Sequence, residues 1–365
     1  MIMVASSPLE TVKLAVAGAI GIITLDRQKA LNALDQPMCL AIDGTLQEWA
    51  LDDAIAAVVI RGAGERAFCA GGDVRAVHDD GISWKRGQGE GLLVRDFFRD
   101  EYRMNRRIKT FPKPYLALID GITMGGGVGL SVHGRYRVAT ERTVVAMPET
   151  AIGLFPDVGA SFVLPRLNGE IGTYLALSGA RLKTGDVFAL GLATHVIDSD
   201  RRDALIDELV SIVTPGGADT AIDDVLERYR ADPGIAELAP HTALIDWCFA
   251  FDTVESILAA LDAESGDFAA ATAATIRTMS PTSLKLTLKE MRLGRSLDFD
   301  GCLRMEYRLT QSILAGRDFY EGIRAVLIDK DRNPKWYPAA LDAVDDSAVE
   351  SHFLVPRQGD LTFPD

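Results

Sequence analysis

Through the first 200 residues, apolar positions gather into short β-rich runs separated by longer stretches in which they recur every three or four residues. Val12–Val16 and Ile20–Leu25 predict a paired hairpin, and Gln36–Leu51 a helix with Ile42, Leu46 and Trp49 on one face. Ile55–Arg61 reads as an apolar strand leading to a glycine-rich loop. Gly81–Gly91 is polar and glycine-bearing, which predicts a mobile surface loop; Leu92–Thr110 follows as a helix stopped by Pro112 and Pro114. Tyr115–Ile119 predicts the next strand, followed by a second glycine loop and a helix to about His133, then strands at Arg135–Thr140, Thr143–Met147 and Ala193–Ile197. The recurring unit is strand, turn, helix, so the class is α/β with more than one sheet layer.

Beyond about Arg202 the period becomes helical, in Arg202–Val213, Thr220–Arg230, Thr242–Phe251, Val254–Ala263, Asp267–Met279, Pro281–Leu293 and Asp300–Ala315. Ser280 before Pro281, and Asp318 three residues before Glu321, are helix N-terminal signals. No clean linker separates the halves, so residues 1–200 read as an α/β core and 201–365 as an α-helical C-terminal region across a soft boundary.

The two glycine loops carry the candidate chemistry. They are Phe68-Cys69-Ala70-Gly71-Gly72-Asp73 and Asp120-Gly121-Ile122-Thr123-Met124-Gly125-Gly126-Gly127. Glycine lets a backbone N–H approach a ligand without a Cβ in the way, and a helix that opens at the second loop leaves its first N–H groups without intrahelical partners. Two such loops can aim donors at one developing negative charge, as an oxyanion hole does. Met147-Pro148-Glu149 through Phe155-Pro156-Asp157 adds two carboxylates with no metal motif beside them, which points to acid/base or nucleophilic work on a carbonyl. The glycine triplet is neither a dinucleotide fingerprint nor a phosphate loop, because G-x-G-x-x-G and Gly-Lys-Ser/Thr are both absent there.

Composition narrows the partners. The formal charge of −14 opposes a nucleic-acid backbone, but it is unevenly spread: 198–237 carries eleven acids against four arginines and 341–365 six acids against Arg357, leaving about −2 for the rest. An anionic small molecule is therefore admissible on the body of the chain. No apolar run is long enough to span a bilayer, Met1–Pro8 lacks the basic region of a signal peptide and the arginines of a transit peptide, and Cys39, Cys69, Cys248 and Cys302 stand apart without metal or redox spacing. These features predict a cytoplasmic enzyme with reduced structural thiols, no metal and no membrane partner; a homo-oligomer stays open.

Together the stretches AFCAGGDVR at 67–75, YLALIDGITMGGGVGLSVHGRYRVAT at 115–140 and AMPETAIGLFPDVGASFVLPRL at 146–167 resemble the crotonase (enoyl-CoA hydratase/isomerase) superfamily, and within it the 3-hydroxyisobutyryl-CoA hydrolase family. The resemblance continues through Leu182–Asp198 and Asp318–Tyr337. It implies a spiral of ββα units followed by helices, with an acyl-CoA thioester as substrate and no separate cofactor. It implies Gly72 and Gly126 as oxyanion-hole donors and Glu149 and Asp157 as catalytic carboxylates, all four touching substrate, and Glu101 as a further substrate contact. In hydratases a first catalytic glutamate follows the triplet in the pattern G-G-G-C-E; here that position is Gly129, which has no side chain to exchange a proton. The implied activity is hydrolysis of a short 3-hydroxyacyl-CoA, with 3-hydroxyisobutyryl-CoA of valine breakdown foremost, Glu149 acting as nucleophile or as base toward water. An enoyl-CoA hydratase or isomerase using Glu149 alone, and a catalytically silent CoA-binding or assembly protein, are the alternatives. Arg27, Lys29 and Arg66 are candidate cations for the CoA phosphates.

Overall fold

The computed structural model describes residues 2–4 and 9–363. Two compact units emerge, each assembled from three stretches: 1–72, 103–145 and 181–237 in the first, and 73–102, 146–180 and 238–365 in the second. Neither unit is a continuous half of the chain.

The first unit holds the strands β1 (Ile2–Val4), β2 (Val12–Ala17), β3 (Ile20–Leu25), β4 (Ala57–Gly62), β5 (Ala67–Cys69), β6 (Tyr115–Ile119), β7 (Ile122–Met124), β8 (Tyr136–Thr140), β9 (Val144–Ala146, ending at its edge), β10 (Leu182–Lys183) and β11 (His195–Ile197). A seven-stranded sheet runs in the order β1-β2-β3-β4-β6-β8-β11. β2 and β3 form the expected hairpin with Val12 opposite Leu25 and Ala17 opposite Ile20, and every pair from β3 to β11 is parallel. Central β6 is buried at all five positions, as a parallel strand covered on both faces requires. The helices Arg202–Ile212 and Ala218–Tyr229 pack on this sheet, placing Leu205, Ile206, Leu209, Ile222, Val225, Leu226 and Tyr229 in one cluster with Val59, Leu116, Leu118 and Val138.

A second sheet, in the order β10-β9-β7-β5, joins β9, expected within Thr143–Met147, to three strands the periodicity does not predict. β5, β7 and β10 are two or three residues long, too short for a period to register; they exist because neighbours supply ladder partners.

The second unit is helical. Asp298 and Thr253 cap the helices Phe299–Ala315 and Val254–Ala263, and Ser280 caps Pro281–Gly294 as its sequence signature predicts, accepting from Ser283 N–H. Asp318 opens the helix Asp318–Ile323, but its carboxylate turns elsewhere, accepting from Ser280 Oγ at 2.7 Å and Tyr337 N–H at 2.9 Å.

The loop expected over Gly81–Gly91 is corrected: the helix Val74–Lys85, capped by Asp73, occupies its first five residues. Gly81 is a packing residue, since a Cβ there would lie 2.4 Å from Tyr320 Oη, and the absence of a side chain lets the ring lie against the helix backbone. Among the described residues no helix is long and apolar enough to cross a membrane.

Candidate active site

The glycine loops are built in the first unit. β5 and β7 run parallel with an irregular register at Cys69, and each ends in a glycine turn. Leu34 N–H donates to Gly71 O at 2.8 Å and Ala70 N–H to Leu31 O at 3.0 Å, pinning the first loop from one side. Gly71 sits at φ +115°, a conformation closed to ordinary side chains, and its missing Cβ would lie 3.9 Å from Gly126 N, so the two loops adjoin. In the second loop Gly125 takes φ +48° and ψ −118°, after which the helix Gly126–Ser131 begins. A Cβ on Gly127 would sit 2.2 Å from Cys69 O, so only glycine permits the helix to approach the first loop this closely. Among the described residues no backbone carbonyl accepts from the Gly72 or the Gly126 N–H. The helix itself is buried throughout, with Gly129 inside it.

The candidate cations lie on the same unit but are partly committed. Arg27 donates to Ala33 O at 2.8 Å and Arg66 to Gln28 O at 2.8 Å, while Lys29 is exposed.

The carboxylates are built in the second unit. Glu149 begins a single 3-10 turn, Glu149–Ile152, which Gly153 closes at φ +70°. Ser280 N–H donates to Thr150 O at 3.2 Å, tying this turn to the start of the helix Pro281–Gly294. Asp157 follows the buried Leu154 and Phe155, and Tyr102 Oη donates to its Oδ2 at 2.7 Å. Tyr102 and Glu101 come from the helix Leu92–Thr110, where Asp96 and Asp100 turn to Arg95 and Arg99. Glu101, by contrast, is 2 % exposed, and burial rather than a surface ion pair is its setting.

Two acids escape the sequence reading. Glu290, on Pro281–Gly294, and Glu306, on Phe299–Ala315, are both fully buried. Their signal was a charged residue within an apolar stripe: Glu290 follows Leu286 by four, and Glu306 lies between Leu303 and Leu309.

Besides Asp96 and Asp100, paired with arginines, and the hydrogen-bonded Asp318, the second unit thus buries Glu101, Glu149, Asp157, Glu290 and Glu306. Burial raises Glu149 well above the ordinary glutamate range, with repulsion from Asp157 and Glu101 adding to it. Burial likewise raises Glu101, reinforced by Asp157 and Glu306, and Glu290, reinforced by Glu306, Asp157 and Glu149. Asp157 is raised to about 7 by burial, against the Tyr102 hydroxyl that holds it down. A carboxyl group near neutrality is matched to proton transfer, and mutual repulsion among these acids favours their protonated forms. Among the described residues no group of three His, Cys, Asp or Glu side chains is disposed to hold a metal ion. The four cysteines are buried and not joined in disulfides.

A carboxyl group whose folded pKa is raised favours the fold fully below its unfolded value and loses that contribution as pH rises, because the native state binds more protons. Glu290 isolates the effect, since neither oxygen has a hydrogen-bond partner among the described residues. Glu290→Gln is expected to raise Tm at about pH 8 by roughly 2 °C or more relative to its effect at about pH 4. The amide's own desolvation shifts both pH values alike, so the widening with pH is the readout. A melting difference independent of pH refutes the assignment.

Comparison with known proteins agrees with this architecture. The enoyl-CoA hydratase/isomerase family pattern matches residues 20–353. The 3-hydroxyisobutyryl-CoA hydrolase, mitochondrial, of Xenopus tropicalis is 49% identical over 350 residues, covering 94% of this chain and 89% of that protein. The Homo sapiens protein of the same name is 45% identical over 359 residues, covering 97% and 91%. Among solved structures, a carnitinyl-CoA dehydratase from Mycobacterium thermoresistibile matches with TM-score 0.90 at 39% identity, covering 97% of this chain and 99% of that one. An enoyl-CoA hydratase from Rhodobacter sphaeroides matches with TM-score 0.87 at 39% identity, covering 97% and 100%.

The relatives' names overturn the cytoplasmic expectation, since both are called mitochondrial. Compartment is carried by an address segment and not by the folded body, so free thiols and an ordinary composition are silent on it. The reading of the N-terminus rested on Met1–Pro8, of which residues 1 and 5–8 lie outside those described. With its crotonase-like α/β fold, a family pattern spanning 20–353 and relatives 45–49% identical over nearly all of its length, the chain belongs to the enoyl-CoA hydratase/isomerase family and, within it, to the 3-hydroxyisobutyryl-CoA hydrolases.

Proposed function

We propose that this enzyme hydrolyses 3-hydroxyisobutyryl-CoA to 3-hydroxyisobutyrate and free CoA, a step of valine breakdown. The observation that carries the reading is identity of 45–49% with proteins of that name over 94–97% of the chain. Residue chemistry supports it: Gly129 stands where the hydratase pattern places a glutamate, so the two-glutamate route for adding water across a double bond lacks a partner.

In this mechanism the thioester oxygen accepts hydrogen bonds from Gly72 and Gly126 N–H as charge develops on it. Glu149 supplies the electron pair, either to the carbonyl carbon to form a mixed anhydride or to a proton of the attacking water. The carbon–sulfur bond breaks and the CoA thiolate takes up a proton to leave as the thiol; on the anhydride route water then attacks the anhydride, whose acyl–oxygen bond breaks to release 3-hydroxyisobutyrate and restore the Glu149 carboxylate. Asp157, near neutrality and bonded to Tyr102, donates that proton or orients the 3-hydroxyl; Glu101 contacts the substrate. CoA belongs to the substrate, and no further cofactor enters.

The second reading, hydration of an enoyl-CoA, is favoured by the names of the two structures at 39% identity. Thiol release and loss of enoyl absorbance separate the two. The purified enzyme is expected to release CoA from 3-hydroxyisobutyryl-CoA while hydrating crotonyl-CoA at least ~10²-fold more slowly, the scale of one missing proton-transfer group. Efficient crotonyl-CoA hydration without CoA release overturns the proposal in favour of a hydratase; binding with neither reaction favours a silent CoA-binding protein.

A further inference from the structure

We infer that Glu306 is a positioning residue, which clamps the turn after Asp157 and so holds the Asp157 carboxylate against Tyr102. The inference rests on Asp157 acting in the hydrolysis proposed above.

The turn cannot hold its shape through local preference. Val158, β-branched, sits at φ +55°, in the left-handed region that such side chains avoid, and Gly159 follows at φ +84°. Strain of this kind persists only where surrounding contacts over-determine it. Here one side chain supplies three of those contacts. Glu306 Oε2 accepts from Gly159 N–H at 2.8 Å, and Oε1 accepts from Ser161 N–H at 3.1 Å and Ser161 Oγ at 2.5 Å. Gly159, Ser161 and Glu306 are all buried, so no water replaces these bonds at equal cost.

The clamp is expensive to maintain. Burial pushes Glu306 up to about 8, against the Ser161 hydroxyl and the two N–H donors that pull it down, with Asp157 repelling it. The groups on which its charge is felt include Asp157 at the start of the turn, Glu101 and Tyr102 from the helix Leu92–Thr110, Glu290 from Pro281–Gly294, and Cys302 one helical turn before it. A buried acid kept among acids, whose hydrogen bonds converge on two residues of a strained turn, has positional work as its economical explanation. The turn begins at Asp157, whose own carbonyl accepts from Ala160 N–H at 2.9 Å, so releasing Gly159 and Ser161 releases Asp157.

Glu306→Gln replaces one accepting oxygen with a donor that faces an existing donor. The expected result is a kcat reduced by ~10-fold to 10²-fold with KM changed by less than about threefold, the pattern of a misplaced catalytic group rather than lost binding. In an Asp157→Asn background the same substitution should cost less than about threefold more, because it acts through a group already disabled. Additive losses overturn the inference. Hydrogen exchange supplies a readout that needs no turnover and so stays decisive if the substrate assignment fails: the Gly159 and Ser161 amides should exchange faster in Glu306→Gln, and unchanged exchange overturns the clamp. If Glu306→Gln is recovered unfolded, Ser161→Ala removes only the hydroxyl donor. It should accelerate Gly159 exchange and lower kcat by about two- to fivefold; a variant unchanged in both refutes the proposal.

Discussion

Glu149→Gln is expected to lower CoA release from 3-hydroxyisobutyryl-CoA by at least ~10²-fold, the usual scale for a positioned proton-transfer group. The substitution keeps side-chain volume nearly constant and leaves the 3-10 turn Glu149–Ile152 its backbone bonds, including Leu154 N–H to Glu149 O at 3.0 Å. What disappears is an electron pair able to attack carbon or take a proton. Substrate binding should survive, read as a KM or a CoA-ester Kd within about threefold of wild type. The fold should survive too, because Glu149 is raised by burial and adds to the repulsion felt at Glu290, so an uncharged amide relieves more strain at alkaline pH than it introduces. Retention of more than about a tenth of wild-type turnover removes Glu149 from the chemistry.

Gly126→Val tests the other half of the mechanism without touching a titratable group. One oxyanion donor is worth ~2.7–4 kcal/mol, so turnover should fall by ~10²- to 10³-fold. Gly126 is the first residue of its helix, behind a glycine with φ +48°, and a β-branched side chain there moves the N–H from its direction. Because the helix is buried throughout, melting must be measured beside kinetics, and Gly126→Ala provides the smaller perturbation. A variant that melts normally and turns over normally excludes Gly126 from the oxyanion hole. Loss of turnover at unchanged Tm supports it.

Much of this molecule was legible in one dimension. The hairpin of β2 and β3, the buried β4 and β6, the cap at Ser280 and most late helices follow from periodicity and from residues whose hydrogen bonds are local. So do the glycine turns, because a positive φ such as that of Gly71 depends on the residue itself. The pairing of these turns with Glu149 and Asp157 carried the family resemblance, and the absence of a side chain at Gly129 distinguished its branch.

Other features depended on what the chain meets after folding. The helix through Gly81 looked like a loop until Tyr320, more than two hundred residues later, supplied the reason for a glycine there. Three strands of the four-stranded sheet, β5, β7 and β10, are too short to have a period. The burial of Glu290 and Glu306 escaped the sequence reading, since an acid's desolvation is set by the neighbours that surround it and not by its own sequence context. The sequence by itself determined the longer periodic elements, the glycine turns and the presence of Glu149 and Asp157 beyond them. Only the tertiary structure decided that Glu101, Glu149, Asp157, Glu290 and Glu306 are buried in one unit and that Glu306 grips the turn bearing Asp157, because burial and long-range hydrogen bonds are properties of convergence.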